Sequence, residues 1–203
     1  GYYFVTVQDL SGSGFTWQFN NGGDKDKLLN VSQCGCLDIS TSATFYGCSN
    51  MTWTATDALS ISTVTLSSTF INCTNFNGEI GNWDLTDVIS LASMFSGCTS
   101  FNQPLNNWNV SSVFNMVTTF NNCTSFDQDL SSWDITSLTN GTTFLNNVTL
   151  STSNYDAILS SWSQQDVQDN VTISFGNSVW TSSVENIGYY EELTDTHNCT
   201  ITD

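Results

Sequence analysis

The stretch FNQPLNNWNVSSVFNMVTTFNNCTS at residues 101–125 decides the fold of this chain, because it is one copy of a repeat. Residues 76–100 read FNGEIGNWDLTDVISLASMFSGCTS, and residues 126–150 read FDQDLSSWDITSLTNGTTFLNNVTL. A partial earlier copy carries Phe45 and Cys48 at the corresponding positions. The period is 25 residues, and a fixed period of this length is typical of proteins built from stacked repeats.

Each unit predicts one short strand followed by one short helical segment. The run L-x-x-W-x-V-x-x-V from Leu105 to Val113 matches the skeleton of a leucine-rich repeat, in which a strand alternates inward and outward. The apolar spacing then lengthens to three and four residues through Met116 and Phe120, as on one face of a helix. One unit cannot bury its apolar face alone, so neighbouring units must stack. The sequence therefore predicts a solenoid, a leucine-rich-repeat-type array of about five 25-residue coils.

The repeat divides the chain into three regions. We expect residues 1–33 to form a β-rich N-terminal cap, residues 34–148 the repeat solenoid, and residues 149–203 a C-terminal cap. The chain begins at Gly1 without an initiator methionine or a basic and apolar leader. We interpret it as a mature product whose signal has been removed, or as a fragment.

The charge balance excludes two classes of partner. The formal net charge is −17, and the only basic residues besides His197 are Lys25 and Lys27. Nucleic acid binding requires many Lys and Arg contacts to phosphates, and docking on an anionic membrane requires clustered basic residues. No apolar run approaches the roughly 20 residues that span a bilayer. The sequence therefore predicts no nucleic acid partner and no membrane span.

The polar residues are mostly uncharged. Only 10% of the residues are charged, whereas Ser, Thr and Asn number 29, 28 and 23. Aromatic residues make up 13% of the chain, which is typical of a folded protein and not of a disordered one. A folded domain of this composition has a surface covered by hydroxyl and amide groups.

The repeat resembles a known family. The strings FYGCSN at 45–50 and FNQPLNNW at 101–108 look like the 25-residue repeats of BspA-type leucine-rich-repeat surface proteins, also described as Mycoplasma lipoprotein-associated repeats. Residues 19–33 are similar to the segment leading into the array in that family. Residues 150–162 and the closing T-I-T-D are similar to its C-terminal cap. The resemblance implies a secreted or surface-attached protein without known catalytic residues, since members are mostly adhesins or of unknown role.

Four cysteines recur with the repeat. Their common position places them at one site in successive coils, and Val148 takes that position in the last coil. An apolar replacement favours an inward column of small buried thiols over disulfides between coils. A zinc site is disfavoured because the chain has one His and no C-x-x-C motif. The predicted buried column is Cys48, Cys73, Cys98 and Cys123.

Three further cysteines lie outside this column. Where related sequences are expected to carry Trp, this chain has Cys34 and Cys199, and Cys36 is also unusual. A solenoid places residues 34 and 199 at opposite ends, which disfavours a bond within one subunit unless the C-terminal tail folds back. Cys34, Cys36 and Cys199 are candidates for a disulfide between subunits stacked head to tail. The alternatives are three incidental thiols, or a local bond of Cys36. A disulfide of either kind implies an oxidising, extracellular location.

The N-terminus is strong strand material. Tyr2, Tyr3, Phe4, Val5, Thr6 and Val7 are aromatic or β-branched, without charge or proline. An exposed strand of this kind pairs or aggregates. It either caps the first coil of its own chain or is donated as a strand to the next subunit.

Nine Asn-x-Ser/Thr sequons are present, where composition alone predicts about six or seven. Asn72, Asn122 and Asn147 share one repeat position and would therefore line one edge of the solenoid. If the source glycosylates, attached glycans would cover that edge. The candidate glycosylation sites are Asn30, Asn50, Asn72, Asn109, Asn122, Asn140, Asn147, Asn170 and Asn198.

No residue pattern indicates catalysis or a cofactor. Asp84, Asn109 and Asp134 follow the repeat tryptophan, and the two carboxylates would lie about 9.6 Å apart, just beyond the ~6.5–9.5 Å of inverting glycosidases. A solvated strand face explains them without a cleft. His197 is the only His, and no G-x-S-x-G motif accompanies it. We therefore expect no enzyme activity and no metal site.

These observations predict a secreted structural protein that assembles with copies of itself. The apolar N-terminal strand, the cysteines near both ends and the charge-poor surface favour an extracellular filament or surface layer joined end to end. The alternative is a monomeric cell-surface adhesin or ligand-binding module. Exposed aromatic residues on one face of the repeats would favour that alternative.

Overall fold

The computed structural model describes residues 18–35 and 37–203. The expected N-terminal strand at 2–7 and Cys36 lie outside the described residues. In chain order the elements are a 3₁₀-helix at Lys25–Lys27, β1 (Asn30–Val31), β2 (Asp38–Ile39), β3 (Thr52–Trp53), β4 (Ser60–Ile61), α1 (Thr152–Trp162), β5 (Thr172–Ser174), α2 (Val184–Glu191), a π-helical turn at Glu192–Thr196, and β6 (Thr200–Thr202).

Main-chain hydrogen bonds connect the described chain from one end to the other as a stack of layers. In each step an N–H of one layer donates to a carbonyl of the next layer, with nitrogen–oxygen distances of 2.7–3.0 Å. Seven such steps join eight layers. The steps, donor first, are Asn21 to Tyr46, Gly47 to Ile71, Asn72 to Ser96, Gly97 to Asn121, Asn122 to Asn146, Leu145 to Ser174, and Phe175 to Thr202.

A second column of parallel β-pairs runs beside these bonds. The column begins with β1 paired to β3 and β2 paired to β4. Single parallel bridges then join Thr65 to Ser90, Ser90 to Asn115, and Asn115 to Asn140. The column ends where Gly141 bridges Ile173 and β5 pairs with β6. Each central layer therefore contributes a single residue to this column of parallel β-pairs.

The local elements of a layer differ from the predicted strand and helix. Residues 105–113 form turns without a strand, and residues 117–122 form consecutive turns without a helix. Thr118 and Asn122 have φ of 53° and 62°, which a right-handed helix cannot accommodate. The N–H groups of Thr118, Phe120 and Asn122 donate to the next layer, so they are not available to a helix.

Stacked phenylalanine rings fill the centre of the layers. Phe45, Phe70, Phe95 and Phe120 stack with centroids 5.4–5.7 Å apart and planes within 7° of parallel. A second column packs against the first at 4.1–4.3 Å. The rings of both columns are fully buried. The second column is Phe76, Phe101 and Phe126.

A tryptophan column links the repeats to the C-terminal cap. The indole Nε1 of Trp108 donates to the carbonyl of Ile80 at 2.9 Å, and that of Trp133 donates to Leu105 at 3.0 Å. Trp162, the last residue of α1, makes the same kind of bond. Helix α1 therefore takes the place that a further repeat would occupy, and it covers the apolar end of the column.

The start of α1 is held by the preceding layer. Asn77 Oδ1 accepts the N–H of Asn102, and Asn102 Oδ1 accepts the N–H of Asp127, both at 2.9 Å. Asp127 Oδ1 then accepts the N–H of Ser151 and the amide of Asn154, both at 2.8 Å. Partial burial opposes ionisation of Asp127, but these hydrogen bonds hold its pKa below the usual range. The polar column of the repeats thus continues into the cap.

Replacing Phe95 with alanine should destabilise the stack. Phe95 is fully buried between Phe70, Phe101 and Phe120, so its removal leaves a cavity, and we expect the free energy of unfolding to fall by about 3–5 kcal/mol. Urea unfolding followed by circular dichroism measures the change. Phe114→Ala is the matched control because Phe114 is 44% exposed, and it should cost well under half as much. Equal losses in the two variants would contradict the stacked core.

Candidate functional site

The four repeat cysteines lie in one buried column. All four thiols are free and fully buried. Cys73 Sγ lies 3.0 Å from the carbonyl oxygen of Phe45, and Cys98 and Cys123 repeat this contact at 2.9 Å with Phe70 and Phe95. Among the described residues no group of three or more side chains is arranged to hold a metal ion. The column therefore has the geometry of core packing between layers.

Cys34 and Cys199 are placed near opposite ends of the stack, and both are buried. Burial, with a smaller contribution from the Asp57 carboxylate, raises the pKa of Cys34 to about 12. Burial also raises the pKa of Cys199. Because the thiolate is the reactive form, a bond between subunits through these two thiols requires local opening first. Neither thiol presents itself at a surface, and Cys36 lies outside the described residues.

The residues after the repeat tryptophans close turns. The Oδ1 atom of Asp84 accepts the N–H of Thr86 at 3.0 Å and its hydroxyl at 2.7 Å. Asn109 and Asp134 do the same with the residue two positions on. The hydroxyl and N–H of Thr86 hold the pKa of Asp84 below its usual range. The amide of Asn109 closes its turn as well as the carboxylates of Asp84 and Asp134 close theirs. The three side chains therefore stabilise turns, and the two carboxylates are not arranged as a general acid and a general base.

The concave surfaces are shallow. One depression of about 260 Å³ lies beside Asp84 and Thr86, and another of about 300 Å³ lies beside Asn82 and Gln103. His197 lines neither depression, and its Nδ1 lies 3.3 Å from Asp169 Oδ1 near the end of the chain. The residues lining these two depressions do not place a nucleophilic side chain next to a general base.

All nine sequon asparagines have exposed side chains. Asn72, Asn122 and Asn147 form one column with φ of 58–62°, and Gly47 and Gly97 occupy the same position with φ of 82° and 77°. Gly and Asn are the residues that adopt this left-handed conformation at least cost. The backbone therefore explains the Asn column independently of any glycan.

The C-terminal end of the stack has an open β-edge. Thr200 donates its N–H to Val171 at 2.9 Å, and the carbonyl of Thr202 accepts the N–H of Phe175 at 2.7 Å. The N–H and C=O of Ile201, between them, consequently point away from β5. Within residues 18–35 and 37–203, β6 has one strand neighbour. In the part of the chain that the structure describes, the parallel column that runs through the layers therefore ends on an edge without a further strand.

Apolar side chains lie exposed in the cap that carries this edge. Val179, Val184 and Ile187 are 70%, 87% and 40% exposed. Two of them lie on α2, a helix that also carries Glu185 and Glu191. The three residues lie within nine positions of one cap. Their exposure could not be predicted from the repeat pattern, because they lie outside it.

The charges of the two ends differ. The only two lysines, Lys25 and Lys27, lie in the first layer, next to Asp24 and Asp26. The cap at the other end carries only acidic groups besides His197. The ends are therefore chemically distinct, as a head-to-tail contact requires.

One family model matches the chain. The family is described as Mycoplasma protein of unknown function, DUF285, and its model matches residues 39–162. That range covers more than half of the chain. The chain belongs to the DUF285 family. The match begins in β2 and ends on the last residue of α1, so the DUF285 model covers the repeats and the first cap helix.

The open edge lies outside the DUF285 match. Both β6 and α2 follow residue 162. No curated protein matches this DUF285 chain, and no solved structure matches it. Within the described residues no helix is long and apolar enough to cross a bilayer.

Replacing Cys123 with valine should flatten the alkaline pH dependence of stability. An unfolded thiol has a pKa of about 8.5, whereas burial raises the pKa of folded Cys123 to about 12. The contribution of this buried thiol to the free energy of unfolding is therefore complete below pH ~8.5 and is lost as pH rises toward 12. Between pH 7 and pH 10 this loss is about 2 kcal/mol. Valine, which Val148 already supplies in the next layer, has no proton to lose.

Urea unfolding of the two proteins at pH 7 and pH 10 measures this effect. The loss of unfolding free energy between the two pH values should be smaller in Cys123→Val by about 2 kcal/mol. Thr124→Val is the control, because Thr124 is exposed and carries no thiol. An unchanged pH dependence in Cys123→Val would show that this thiol is not buried as described.

Proposed function

We propose that this protein is a secreted structural subunit that joins end to end with copies of itself into an extracellular filament or surface layer. The observation that carries the proposal is the outer edge of β6, which has no second strand neighbour among the described residues and on which their parallel column ends. An unpaired strand edge is a template for another chain. A contact between two different ends does not close on itself and generates a filament.

Main-chain hydrogen bonds between layers are the reason that an open strand edge favours the addition of another copy of the chain. Each internal layer is stabilised through main-chain bonds to a layer on either side, and these bonds do not depend on the identity of the side chains. A layer contributed by another copy can make the same bonds to β6. The exposed Val179, Val184 and Ile187 add apolar area to the same cap. The lysines of the first layer, each paired with a neighbouring aspartate, are the chain's only side chains of fixed positive charge.

We also propose that the repeats at residues 34–148 form a leucine-rich-repeat-type solenoid of the BspA kind, with about five 25-residue coils between an N-terminal and a C-terminal cap. Support comes from the 25-residue period, the inward phenylalanine and tryptophan columns, and the strings at 45–50 and 101–108. An extracellular location agrees with the nine exposed sequons, because attached glycans would solubilise a surface with few charges.

A second candidate function rests on a stripe along the side of the layers. Val64, Ile89 and Phe114 recur every 25 residues and are 53%, 36% and 44% exposed. Consecutive main-chain bonds join them, Ile89 donating to Val64 and Phe114 donating to Ile89. A monomeric adhesin would use such a stripe to contact its partner. Phe114 is the one exposed aromatic residue in it, so the stripe supports the adhesin less strongly than β6 supports assembly.

Negative-stain electron microscopy of the full chain tests the assembly. We expect filaments, and we expect Thr202→Lys to abolish them, because a lysine on an edge strand blocks pairing. Thr202 has an exposed side chain, and its main-chain bond to Phe175 does not involve that side chain. Thr124→Lys is the matched control: it makes the same charge change at an exposed position in the middle of the stack, and it should leave filaments intact.

Two results would count against the assembly proposal. Monodisperse particles about as long as one stack, at all protein concentrations tested, would favour the monomeric adhesin over the filament. Loss of filaments with reductant alone would move the junction from β6 to a disulfide through Cys34, Cys36 or Cys199. Persistence of filaments in reductant is the expected result, because Cys34 and Cys199 are buried.

Glycopeptide mass spectrometry of the native material tests the glycan proposal. We expect carbohydrate on asparagines of the exposed column at Asn72, Asn122 and Asn147. Asn122→Gly should remove one site while keeping the left-handed backbone. It also removes the exposed hydrogen bond that Asn147 Nδ2 donates to Asn122 Oδ1 at 2.8 Å, so the mass falls and the urea midpoint falls only slightly. Unmodified asparagine at all nine sequons would leave only the backbone role of the column.

A further inference from the structure

We propose that the stack has a built-in yield point, the joint between the layer of Phe45 and the layer of Phe70, which opens before the two repeat joints that follow it. This is called the first joint below. The second joint lies between the layers of Phe70 and Phe95, and the third between those of Phe95 and Phe120. Opening of the first joint is a property of a single chain and does not require assembly.

The central contacts are the same at all three joints. Phe45 donates its N–H to Thr69 at 2.8 Å, Phe70 donates to Met94 at 2.8 Å, and Phe95 donates to Thr119 at 2.9 Å. The phenylalanine rings stack across each joint with centroids 5.4–5.7 Å apart. These contacts therefore do not make one joint weaker than another.

The tryptophan column does distinguish the joints. Trp108 Nε1 donates to the Ile80 carbonyl across the second joint at 2.9 Å, and Trp133 Nε1 makes the equivalent bond across the third at 3.0 Å. The corresponding indole of the first joint is that of Trp83. Its Nε1 is buried and has no hydrogen-bond partner among the described residues. The bond that ties each of the two later joints is therefore missing from the first in this part of the chain.

A second unpaired indole lies in the same joint. Trp53 packs against Trp83 of the next layer with ring centroids 5.9 Å apart, and its Nε1 is likewise buried without a described partner. Gly78 makes room for this ring, since a Cβ there would lie 2.5 Å from Trp53 Cβ. The planes of Trp53 and Trp83 cross at 62°, whereas those of Trp108 and Trp133 lie within 12° of parallel. Trp53 thus adds apolar contact to the first joint but no polar bond.

The polar column at Asn77 also starts after the first joint. Asn77 Oδ1 accepts the N–H of Asn102 across the second joint, and Asn102 Oδ1 accepts that of Asp127 across the third. The position 25 residues before Asn77 holds Thr52, whose hydroxyl donates to the preceding layer instead. A side-chain bond of Asn82 does cross the first joint, but it is exposed to water. Exposed bonds of this kind stabilise little, because water replaces them when they break.

Opening the first joint relieves a cost that the other two joints do not carry. A buried N–H without an acceptor has lost its bond to water and gained none in return. Both indoles regain water when the first joint opens, whereas opening the second or the third joint breaks a paired bond. One unpaired buried donor shifts such an equilibrium by about tenfold. Residues 18–64 are then released together, because β1–β3 and β2–β4 pair within them.

The repeat cysteines report the opening of each joint separately. Cys73 Sγ faces the Phe45 carbonyl across the first joint, and Cys98 and Cys123 have the equivalent places at the second and third. All three thiols are buried and free. The full chain is treated with a maleimide under native conditions, and peptide mass spectrometry follows each cysteine. We expect Cys73 to be labelled about tenfold faster than Cys98 and Cys123.

Two matched variants separate a yield point from fraying at the end of the stack. Trp83→Phe and Trp108→Phe remove the same volume and one indole N–H from the same column. Trp83→Phe removes an unpaired donor, whereas Trp108→Phe leaves the Ile80 carbonyl without its partner. We therefore expect Trp108→Phe to raise the labelling rate of Cys98 by about tenfold more than Trp83→Phe raises that of Cys73.

Hydrogen exchange of the unaltered chain is a second measurement that needs no substitution. The N–H of Phe45, which crosses the first joint, is expected to have a protection factor about tenfold below those of Phe70 and Phe95. Equal effects of Trp83→Phe and Trp108→Phe on their thiols would show fraying from the end and overturn the yield point. Labelling of Cys73, Cys98 and Cys123 at one rate would show that the layers open together, and would overturn it as well.

Discussion

The structure depends on a main-chain hydrogen bond whose donor has a left-handed backbone. In four successive layers two residues of positive φ donate their N–H groups to the next layer, as Ser68 and Asn72 do to Ala92 and Ser96. The left-handed conformation costs an L-residue about 1–2 kcal/mol, so it persists only where the bonds and the stacked rings hold it. The other three pairs of donors are Ala43 and Gly47, Ser93 and Gly97, and Thr118 and Asn122. Thr143 and Asn147 keep the positive φ, but in their layer Gly141 and Leu145 donate to the next one.

This constraint explains why the sequence predicted the inward residues but not the local conformation. The 25-residue period marks Phe95, Trp108 and Cys98 as repeated apolar positions, and all three are buried in the structure. The three- and four-residue spacing after Val113 also suits a helix, and apolar spacing alone cannot distinguish a helix from a run of turns. The alternation of Gly and Asn at positions 47, 72, 97, 122 and 147 carried the missing information, since these residues share a tolerance of positive φ.

The candidate site was less accessible to sequence reasoning than the fold. The turn-closing role of Asp84 can be read from Thr86 two residues on, a pattern that recurs at Asn109 and Asp134. The burial of Cys34 and Cys199 could not be read, because neither belongs to the repeat and each is covered by its own end structure. The open edge of β6 depends on which strands lie next to it in the folded protein. The sequence of a three-residue strand does not indicate that, among the described residues, β5 is its one strand neighbour.

The hydrogen bonds between layers run along the axis of the stack, and this direction has a mechanical consequence. A tensile load applied at the two ends is borne by the layers in series, so the weakest interlayer contact sets the force at which the protein yields. A layer that yields lengthens from ~4.8 Å to at most about 85 Å, the extended length of 25 residues. The neighbouring layers lose their phenylalanine contact on the side of the layer that yielded, so they become the next to yield. A chain of such layers therefore lengthens progressively, outward from the layer that opens first.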